Sequence, residues 1–242
     1  MKKILVIAVA AFIGASASAQ IVQSTMLNIK KEKKTTWYVR AGVSINNAAG
    51  EATKAVKDES WLYHDHCNEA SLGAKLGYDF SVGFQRRIGN SGLYWGQEFG
   101  LGTRGAKLTA IYYYDGEKLG DEKSSLLAHN VKYLPVIFGF KYGITEDIKV
   151  DAHVGGFASY DFAGKGKTTW TDDETEESSI SDLDDAYGYQ RLDAGVQAGI
   201  GVWYKRYNFD ISYQKGFISV SDYIDNKNVY SSNLMIRLGI AF

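Results

Sequence analysis

Cysteine and proline are almost absent from this chain. Cys67 is the single cysteine and Pro135 the single proline among 242 residues. One cysteine excludes an internal disulfide and leaves a lone thiol. Aromatic residues make up 14% of the chain, 17 of them tyrosine, and there are 26 glycines. This composition favours strands over helices.

Long apolar runs and an excess of charge of one sign are also lacking. No stretch of eighteen apolar residues follows residue 19, so the sequence predicts no membrane-spanning helix. Without the first nineteen residues the chain has 25 basic and 28 acidic side chains. That near-balance argues against nucleic-acid binding, which usually shows as a strongly basic domain.

The N-terminal nineteen residues have the pattern of a cleavable signal peptide. Lys2 and Lys3 precede an apolar stretch over 4–15, and Ala17-Ser18-Ala19 forms a small-residue cleavage site before Gln20. The apolar stretch is too short to span a membrane as a helix. We therefore predict a signal peptide over 1–19, a flexible periplasmic leader over 20–36 and one domain over 37–242.

Residues 37–242 contain eight segments in which apolar and polar or small residues alternate. In the last one, Leu234, Ile236, Leu238, Ile240 and Phe242 fall on one face. Successive side chains of a strand point to opposite sides, so each segment predicts a strand with one apolar face. The eight predicted strands cover residues 37–46, 72–85, 93–102, 133–142, 148–162, 191–204, 207–214 and 229–242.

The links between these strands alternate between short and long. Gly89-Asn90-Ser91-Gly92, Thr145-Glu146-Asp147 and Lys205-Arg206 form the three short links, and the links after strands one, three, five and seven are longer. Bacterial outer-membrane barrels have short periplasmic turns and longer outer loops. We therefore predict an all-β fold, an eight-stranded antiparallel up-and-down transmembrane β-barrel with both termini in the periplasm.

Aromatic residues of the apolar faces gather near the strand ends. The predicted topology places one group near the periplasmic ends: Trp37, Phe84, Trp95, Tyr142, Tyr204, Tyr207 and Phe242. A second group lies near the opposite ends: Tyr160, Phe162 and Tyr230. Two aromatic belts are expected where a barrel meets the two membrane interfaces.

The opposite faces carry charges of both signs. The predicted inward basic residues are Arg40, Lys75, Lys141, Lys149, Arg191 and Arg237, and the acidic ones are Asp79, Glu98, Asp151, Asp161, Asp193 and Asp210. Side chains fill the interior of an eight-stranded barrel, and buried charges are costly unless they are paired. We expect a salt-bridged polar plug, with inward glycines making room for arginines and Trp203; a narrow pathway for ions or solutes is the alternative.

Pro135 breaks a local rule, because it cannot donate to the hydrogen-bond ladder of a strand that has no free edge. We therefore expect a bulge near it.

Two loops contain residue types that bind metals. His64-Asp65-His66-Cys67 has ligand types in succession, but neighbouring residues rarely meet one tetrahedral ion and no second cluster completes the set. The acidic loop 172–185 could hold Ca²⁺ or bridge to lipopolysaccharide through divalent cations. Its acidic residues are Asp172, Asp173, Glu174, Glu176, Glu177, Asp182, Asp184 and Asp185. It lacks the spacing and the glycine of a calcium loop. Solvated loops are the preferred interpretation for both, so no metal ligand is predicted.

Hydrolytic catalysis would need a serine, a histidine and a carboxylate in contact. His153, Ser159 and Asp161 share one face of strand five, but His153 and Ser159 would lie about 20 Å apart, too far for a nucleophile and its base. His129 and Ser124 lie near the outer rim without an identifiable partner. We predict no catalytic residues, no cofactor and no enzymatic activity.

The whole mature chain resembles the small outer-membrane β-barrel proteins of Bacteroidota, the PorT-like families. The resemblance rests on the cleavage site before Gln20, on the segment Val131-Lys132-Tyr133-Leu134-Pro135-Val136, and on the ending Leu238-Gly239-Ile240-Ala241-Phe242. It implies an outer-membrane location and a C-terminal strand read by the barrel assembly machinery. Members range from secretion accessory factors to proteins without a known role, so no functional residue is carried over.

These observations predict an integral outer-membrane barrel with a structural or surface-interaction role. Its long first and third outer loops would meet protein partners, host surfaces or lipopolysaccharide. The alternatives are a secretion-system accessory, a narrow pore and an outer-membrane lipid-modifying enzyme.

Overall fold

The fold is all-β, as the alternation predicts. The computed structural model describes residues 34–50, 67–89, 91–114, 117–172, 175–183, 189–220 and 228–242. The predicted signal peptide, most of the leader and residues 64–66 of the first loop therefore lie outside the described residues. Within the described ranges, no helix is long and apolar enough to cross a membrane.

Ten strands form one antiparallel sheet. They are β1 (Thr35–Gly50), β2 (Cys67–Gly73), β3 (Lys75–Arg87), β4 (Leu93–Tyr114), β5 (Glu117–Gly143), β6 (Ile148–Thr171), β7 (Glu176–Asp182), β8 (Leu192–Tyr204), β9 (Tyr207–Gly216) and β10 (Val229–Ala241). Eight of them pair in a ring in the order β1, β3, β4, β5, β6, β8, β9, β10. The pairing of β1 with β10, from Tyr38 with Ala241 to Gly50 with Val229, closes the ring. This is the predicted eight-stranded barrel.

The barrel has two unlike ends. The short links β3–β4, β5–β6 and β8–β9 lie at one, here called the turn end. The tightest is the two-residue turn between the paired Tyr204 and Tyr207, where Lys205 has a φ of 53°. At the opposite end the barrel wall continues on one side as a projecting sheet.

The projecting sheet consists of β2, residues 103–114 of β4, 117–129 of β5, 163–171 of β6, and β7. Pairing between β4 and β5 continues from Thr103 with His129 to Tyr114 with Glu117. This part of the hairpin is roughly 35 Å long. The prediction ended strand three at residue 102 and began strand four at 133, so it treated as a link what is mainly paired strand. It also missed β7, which pairs with β6 from Lys165 with Asp182 to Thr171 with Glu176.

Polarity in the barrel is inverted relative to a water-soluble protein. Large apolar side chains are exposed on the outside, among them Phe80, Phe99, Phe138, Ile200 and Leu238. Charged and amide side chains are buried inside, among them Arg40, Glu98, Gln197, Asp210 and Arg237. An apolar outside around a polar inside matches a barrel surrounded by lipid.

Aromatic side chains cluster at the turn end, as predicted. Trp37 and Phe84 are cross-strand partners with ring centroids 5.2 Å apart, and Phe84 lies 5.3 Å from Trp95. Near the other end of the lipid-facing wall, Tyr78 stacks on His129 at 5.7 Å, close to the exposed Phe162.

The expected bulge is present at Pro135. The register between β5 and β6 shifts between Tyr133 and Val136. The extra residue inverts the alternation, so Leu134 is fully buried while Tyr133 is 42% exposed. The sequence pattern, which placed Leu134 outward and Tyr133 and Pro135 inward, was wrong at these three positions because it assumed an unbroken period of two.

Candidate functional site

Arg237 lies at the centre of the barrel interior and is fully buried. Its Nη1 lies 2.7 Å from Oε1 of Glu98 and 3.3 Å from Oδ1 of Asp79, and its Nη2 lies 2.6 Å from Oδ1 of Asp210. The three carboxylates come from strands β4, β3 and β9, and Arg237 comes from β10. One guanidinium therefore links four strands of the ring.

Arg40 extends this network along β1. Its Nη1 lies 3.1 Å from Oε2 of Glu98, and its Nε donates to Oδ1 of Asn208 at 2.8 Å. The hydroxyl of Tyr38 donates to the same Glu98 oxygen at 2.9 Å, and the guanidinium of Arg40 lies 4.3 Å from the Tyr38 ring centroid. The planar guanidinium suits both the carboxylate contact and the aromatic one.

Lys132 supplies the third central cation. Its Nζ donates to Oδ2 of Asp79 and lies 3.4 Å from the sulfur of Met235. Arg40, Lys132 and Arg237 thus oppose Asp79, Glu98 and Asp210, so this buried cluster balances in charge. Pairing of this kind offsets the cost of taking each ion out of water.

Aromatic groups hold the carboxylate of Asp151 nearer the turn end. The Tyr94 hydroxyl donates to Oδ2 of Asp151 at 2.6 Å, and Nε1 of Trp203 donates to Oδ1 at 2.9 Å. The Nζ of Lys141 lies 4.1 Å from the Trp203 ring centroid and donates to Gln85 at 3.1 Å. Trp203 therefore folds into the interior, as expected.

Close contact between inward aromatics and glycines makes this packing possible. A Cβ atom on Gly83 would lie 2.6 Å from the Tyr38 hydroxyl oxygen, which is far inside normal contact. A larger residue at position 83 would therefore displace the tyrosine that donates to Glu98.

A second charged cluster lies toward the projecting end. Arg104 donates to Asp161, and its Nη1 lies 3.2 Å from Oδ2 of Asp193. The Tyr189 hydroxyl also donates to Asp161, and the Ser231 hydroxyl donates to Asp193. Burial, together with the nearby Asp161 carboxylate, raises the pKa of Tyr189.

Space between the two clusters is small. A cavity of about 10 Å³ lies there, lined partly by Ser44, Thr103, Asn130 and Gln214. That volume holds about one water molecule. The expected polar plug is therefore present along the described part of the lumen.

His153 takes part in an arrangement that resembles a catalytic triad. Its Nδ1 lies 3.3 Å from Oδ2 of Asp151, and its Nε2 lies 3.3 Å from Oγ of Ser212. The Ser212 hydroxyl, however, donates to Asp210 at 2.6 Å and accepts from Nη2 of Arg237 at 3.1 Å. A serine oxygen held this way is part of the salt-bridge network, and all five side chains are buried in the barrel interior.

The structure does not bring together the other residues considered for hydrolysis. Ser159 is buried on the same strand as His153. His129 contacts Tyr78 through a 3.1 Å hydrogen bond, while Ser124 contacts Glu122 and Thr168. Within the described residues there is no group of three or more His, Cys, Asp or Glu that could hold a metal ion. Asp172 accepts from the backbone of Thr175 at 2.6 Å, while residues 173–174 and 184–185 lie outside the described ranges.

Eight of the twelve predicted inward charges are buried: Arg40, Arg237, Asp79, Glu98, Asp151, Asp161, Asp193 and Asp210. The other four, Lys75, Lys141, Lys149 and Arg191, are half-buried. The sequence analysis missed Arg104 and Lys132, which each lie within two residues of a predicted strand end. Extending the alternation of strand three would have found Arg104. The same extension of strand four would have placed Lys132 outward with Leu134, because the bulge at Pro135 inverts the two faces before it.

A closed ring of eight strands with an apolar outside and a salt-bridged inside defines a transmembrane β-barrel of the outer-membrane type. Residues 19–222 match the family described as outer membrane protein beta-barrel domain. The chain belongs to this family, and its location is accordingly the outer membrane.

Several solved outer-membrane proteins are similar to this chain at low identity. Ail of Yersinia pestis, solved with the heparin analogue sucrose octasulfate, is 13% identical, with a TM-score of 0.34, covering 87% of this chain and 100% of that one. Neisserial surface protein A is 14% identical (TM-score 0.34, 85% and 97% covered). OprG of Pseudomonas aeruginosa is 14% identical (TM-score 0.32, 87% and 97% covered). No curated protein matches the sequence.

Proposed function

We propose that this protein is a non-catalytic, non-conducting barrel that acts as a surface-interaction protein, with the projecting sheet as its binding surface. The observation that carries the proposal is the continuous pairing of β4 with β5 to Tyr114 and Glu117, well beyond the last β3–β4 pair of Asp79 with Gly102. Short turns at the other end support an outward direction for the sheet.

The filled lumen supports the non-conducting part of this proposal over the narrow pore. Arg237, Glu98 and Asp210 meet across the centre, and Trp203 with Lys141 fills the region nearer the turn end. An ion entering would have to disrupt paired charges. The donation of Ser212 to Asp210 likewise speaks against a lipid-modifying enzyme that uses this serine.

The projecting sheet also changes which segment we expect to bind. The sequence analysis favoured the first and third outer loops, whereas the longest described projection is the second one, the β4–β5 hairpin. The PorT-like resemblance and a secretion-accessory role remain compatible with this sheet. Among the described residues, β7 pairs only with β6, so its other edge would be open to a protein partner. We further propose export by the predicted signal peptide and recognition of β10, ending at Phe242, by the assembly machinery.

Two measurements test this function. An epitope inserted between residues 114 and 117 should be detected by antibody on intact cells, and the purified protein should give no steady conductance in planar bilayers. A hidden epitope would contradict the outward placement, and steady single-channel currents would favour the pore.

Shortening the sheet tests its role directly. Lys107 and Ser125 are register partners, so replacing residues 108–124 by Asn-Gly leaves a two-residue hairpin on an intact barrel. The shortened protein should still show the heat-dependent shift in SDS gel migration expected of a closed barrel. Cells that carry it should lose attachment to host-cell and matrix surfaces. Unchanged attachment would move the interaction to another loop.

A further inference from the structure

We propose that the outward face of the projecting sheet binds phosphate groups of the surrounding lipopolysaccharide through Lys107, Lys123, Lys165 and Lys167. This inference rests on the proposed outward direction of the sheet, and it assigns a ligand to one of its faces. The lysines come from three neighbouring strands.

The strand register brings these lysines to one face. Ser125 pairs with Lys107 on one side and with Lys167 on the other, so both lysines lie in one cross-strand row. Lys165 lies two residues from Lys167 on β6, and Lys123 lies two residues from Ser125 on β5. Positions two apart on a strand share a face.

This face continues the lipid-facing wall of the barrel. Along β5, Tyr133 is exposed to lipid, and residues 131, 129, 127, 125 and 123 follow it at steps of two. His129 confirms the direction, because its ring stacks on the exposed Tyr78 and lies 6.5 Å from that of Phe162. Lys123 and the row of Lys107, Ser125 and Lys167 therefore lie beyond these aromatic side chains, on the same face of the sheet.

All four lysine side chains are exposed, and within the described residues none has a carboxylate at ion-pair distance. One acidic residue, Asp182, is the register partner of Lys165 without forming an ion pair, and Asp121 pairs with Lys118 farther out at 2.8 Å. The opposite face of these rows carries no lysine; its residues are Ala106, Leu108, Ala110, Glu122, Ser124, Leu126, Gly164, Gly166, Thr168 and Trp170. The positive charge is thus confined to the side that faces the surrounding lipid.

The height of the lysines also matches this ligand. A tilted strand rises about 2.5 Å per residue along the barrel axis. Lys165 and Lys167 follow the exposed Phe162 by three and five residues, which places them roughly 8 to 13 Å above that aromatic ring. Aromatic rings mark the headgroup level, so the ammonium groups lie in the phosphorylated layer just outside the hydrocarbon region. Clustered lysines near an anionic lipid surface attract it electrostatically.

The test uses the full barrel reconstituted in phosphatidylcholine nanodiscs and fluorescently labelled lipopolysaccharide as the probe. The variant K107Q/K123Q/K165Q/K167Q should bind roughly tenfold more weakly or worse, and wild-type binding should weaken as salt rises. The pair K165Q/K167Q is compared with the control pair K118Q/K205Q, which removes the same charge from exposed lysines at the sheet tip and the turn end. The control should bind like the wild type.

A second ligand and a further variant distinguish the possible outcomes. Lipopolysaccharide stripped of phosphate should bind the wild type only as weakly as it binds the quadruple variant, and K165R/K167R should retain binding. Equal binding by the wild type and a correctly folded quadruple variant, equal binding of dephosphorylated lipopolysaccharide, or full competition by millimolar inorganic phosphate would overturn the proposal. The intact-cell epitope assay reports separately on the direction of the sheet.

Discussion

Arg237 and Glu98 meet across the lumen, with Nη1 and Oε1 2.7 Å apart, although their strands β10 and β4 are separated in the ring by β1 and β3. The pair therefore ties together strands that share no backbone hydrogen bonds. Glu98 also accepts from Arg40 and Tyr38, so its carboxylate holds two arginines and a tyrosine at once.

Substitution of Glu98 by glutamine should strongly destabilise the barrel. The change keeps the shape but leaves two buried guanidinium groups without their shared charge, a loss of about 3–5 kcal/mol. Urea unfolding of the protein in phospholipid vesicles would measure it. Glu176→Gln on the exposed strand β7 serves as the matched control and should leave the unfolding free energy unchanged; similar curves for both variants would mean that the buried network contributes little.

Lysine in place of Ile200 should lower the unfolding free energy of the barrel, and lysine in place of Ile180 should leave it nearly unchanged. The two isoleucines are 64% and 68% exposed, but Ile200 lies on the barrel wall and Ile180 on the projecting sheet. A lysine facing the centre of a bilayer costs about 2–4 kcal/mol, and far less near water. Equal losses in vesicle unfolding assays would place the two positions in the same environment and contradict a membrane boundary between the barrel wall and the projecting sheet.

The bulge at Pro135 should be visible to a spin label. In a Cys67→Ser background, a label at Tyr133→Cys should collide readily with oxygen dissolved in the lipid, and a label at Leu134→Cys should not. The reason is that the extra residue turns position 133 outward and position 134 inward. Oxygen collision at position 134 and not at position 133 would contradict the bulge and support an uninterrupted alternation along β5.

Removing the Tyr189 hydroxyl should weaken the cluster at the projecting end in a pH-dependent way. Tyr189→Phe loses a hydrogen bond to the carboxylate of Asp161, at a cost of about 1 to 2 kcal/mol. Burial raises the pKa of Tyr189 above the ordinary value for tyrosine, near 10. The folded state therefore favours the neutral phenol, so the contribution is complete below about pH 10 and is lost as the pH rises through the folded-state pKa.

Unfolding of wild type and Tyr189→Phe across pH 7 to 11 would check this. The difference should stay constant up to about pH 9 and shrink above about pH 10. Tyr204→Phe, at an exposed position of the turn end, controls for the titration of other tyrosines. A difference that grows with pH would have the wrong sign for a buried neutral phenol.

The sequence predicted the barrel because lipid outside and polar groups inside impose a period of two on each spanning segment. The same reasoning failed for most of residues 103–132, since the projecting sheet continues beyond the closed barrel and needs no such alternation. Thr109, Lys123 and Ser125 on the outward face carry no sign of a strand that period-two hydrophobicity would reveal.

The pairing of charges inside the barrel could also be predicted only in part from the sequence. The pattern identified that Asp79, Glu98 and Arg237 face inward, but which carboxylate meets which cation depends on stagger between strands. Lys132 reaches Asp79 on a strand two places away in the ring. The partnership of His153 with Ser212 rather than Ser159 also required the register between β6, β8 and β9.

The pairing of β1 with β10 has a consequence for how the chain reaches its folded state. The two strands that seal the cylinder are among the first and last parts of the domain to be synthesised, with Val39 meeting Ile240. Until β10 arrives, every partial sheet exposes two edges of unpaired backbone, and such edges template aggregation. Because the closing contact spans nearly the whole chain, closure must be a late step in maturation, slow without assistance, and a single defect in β10 would leave all the preceding strands without a stable product.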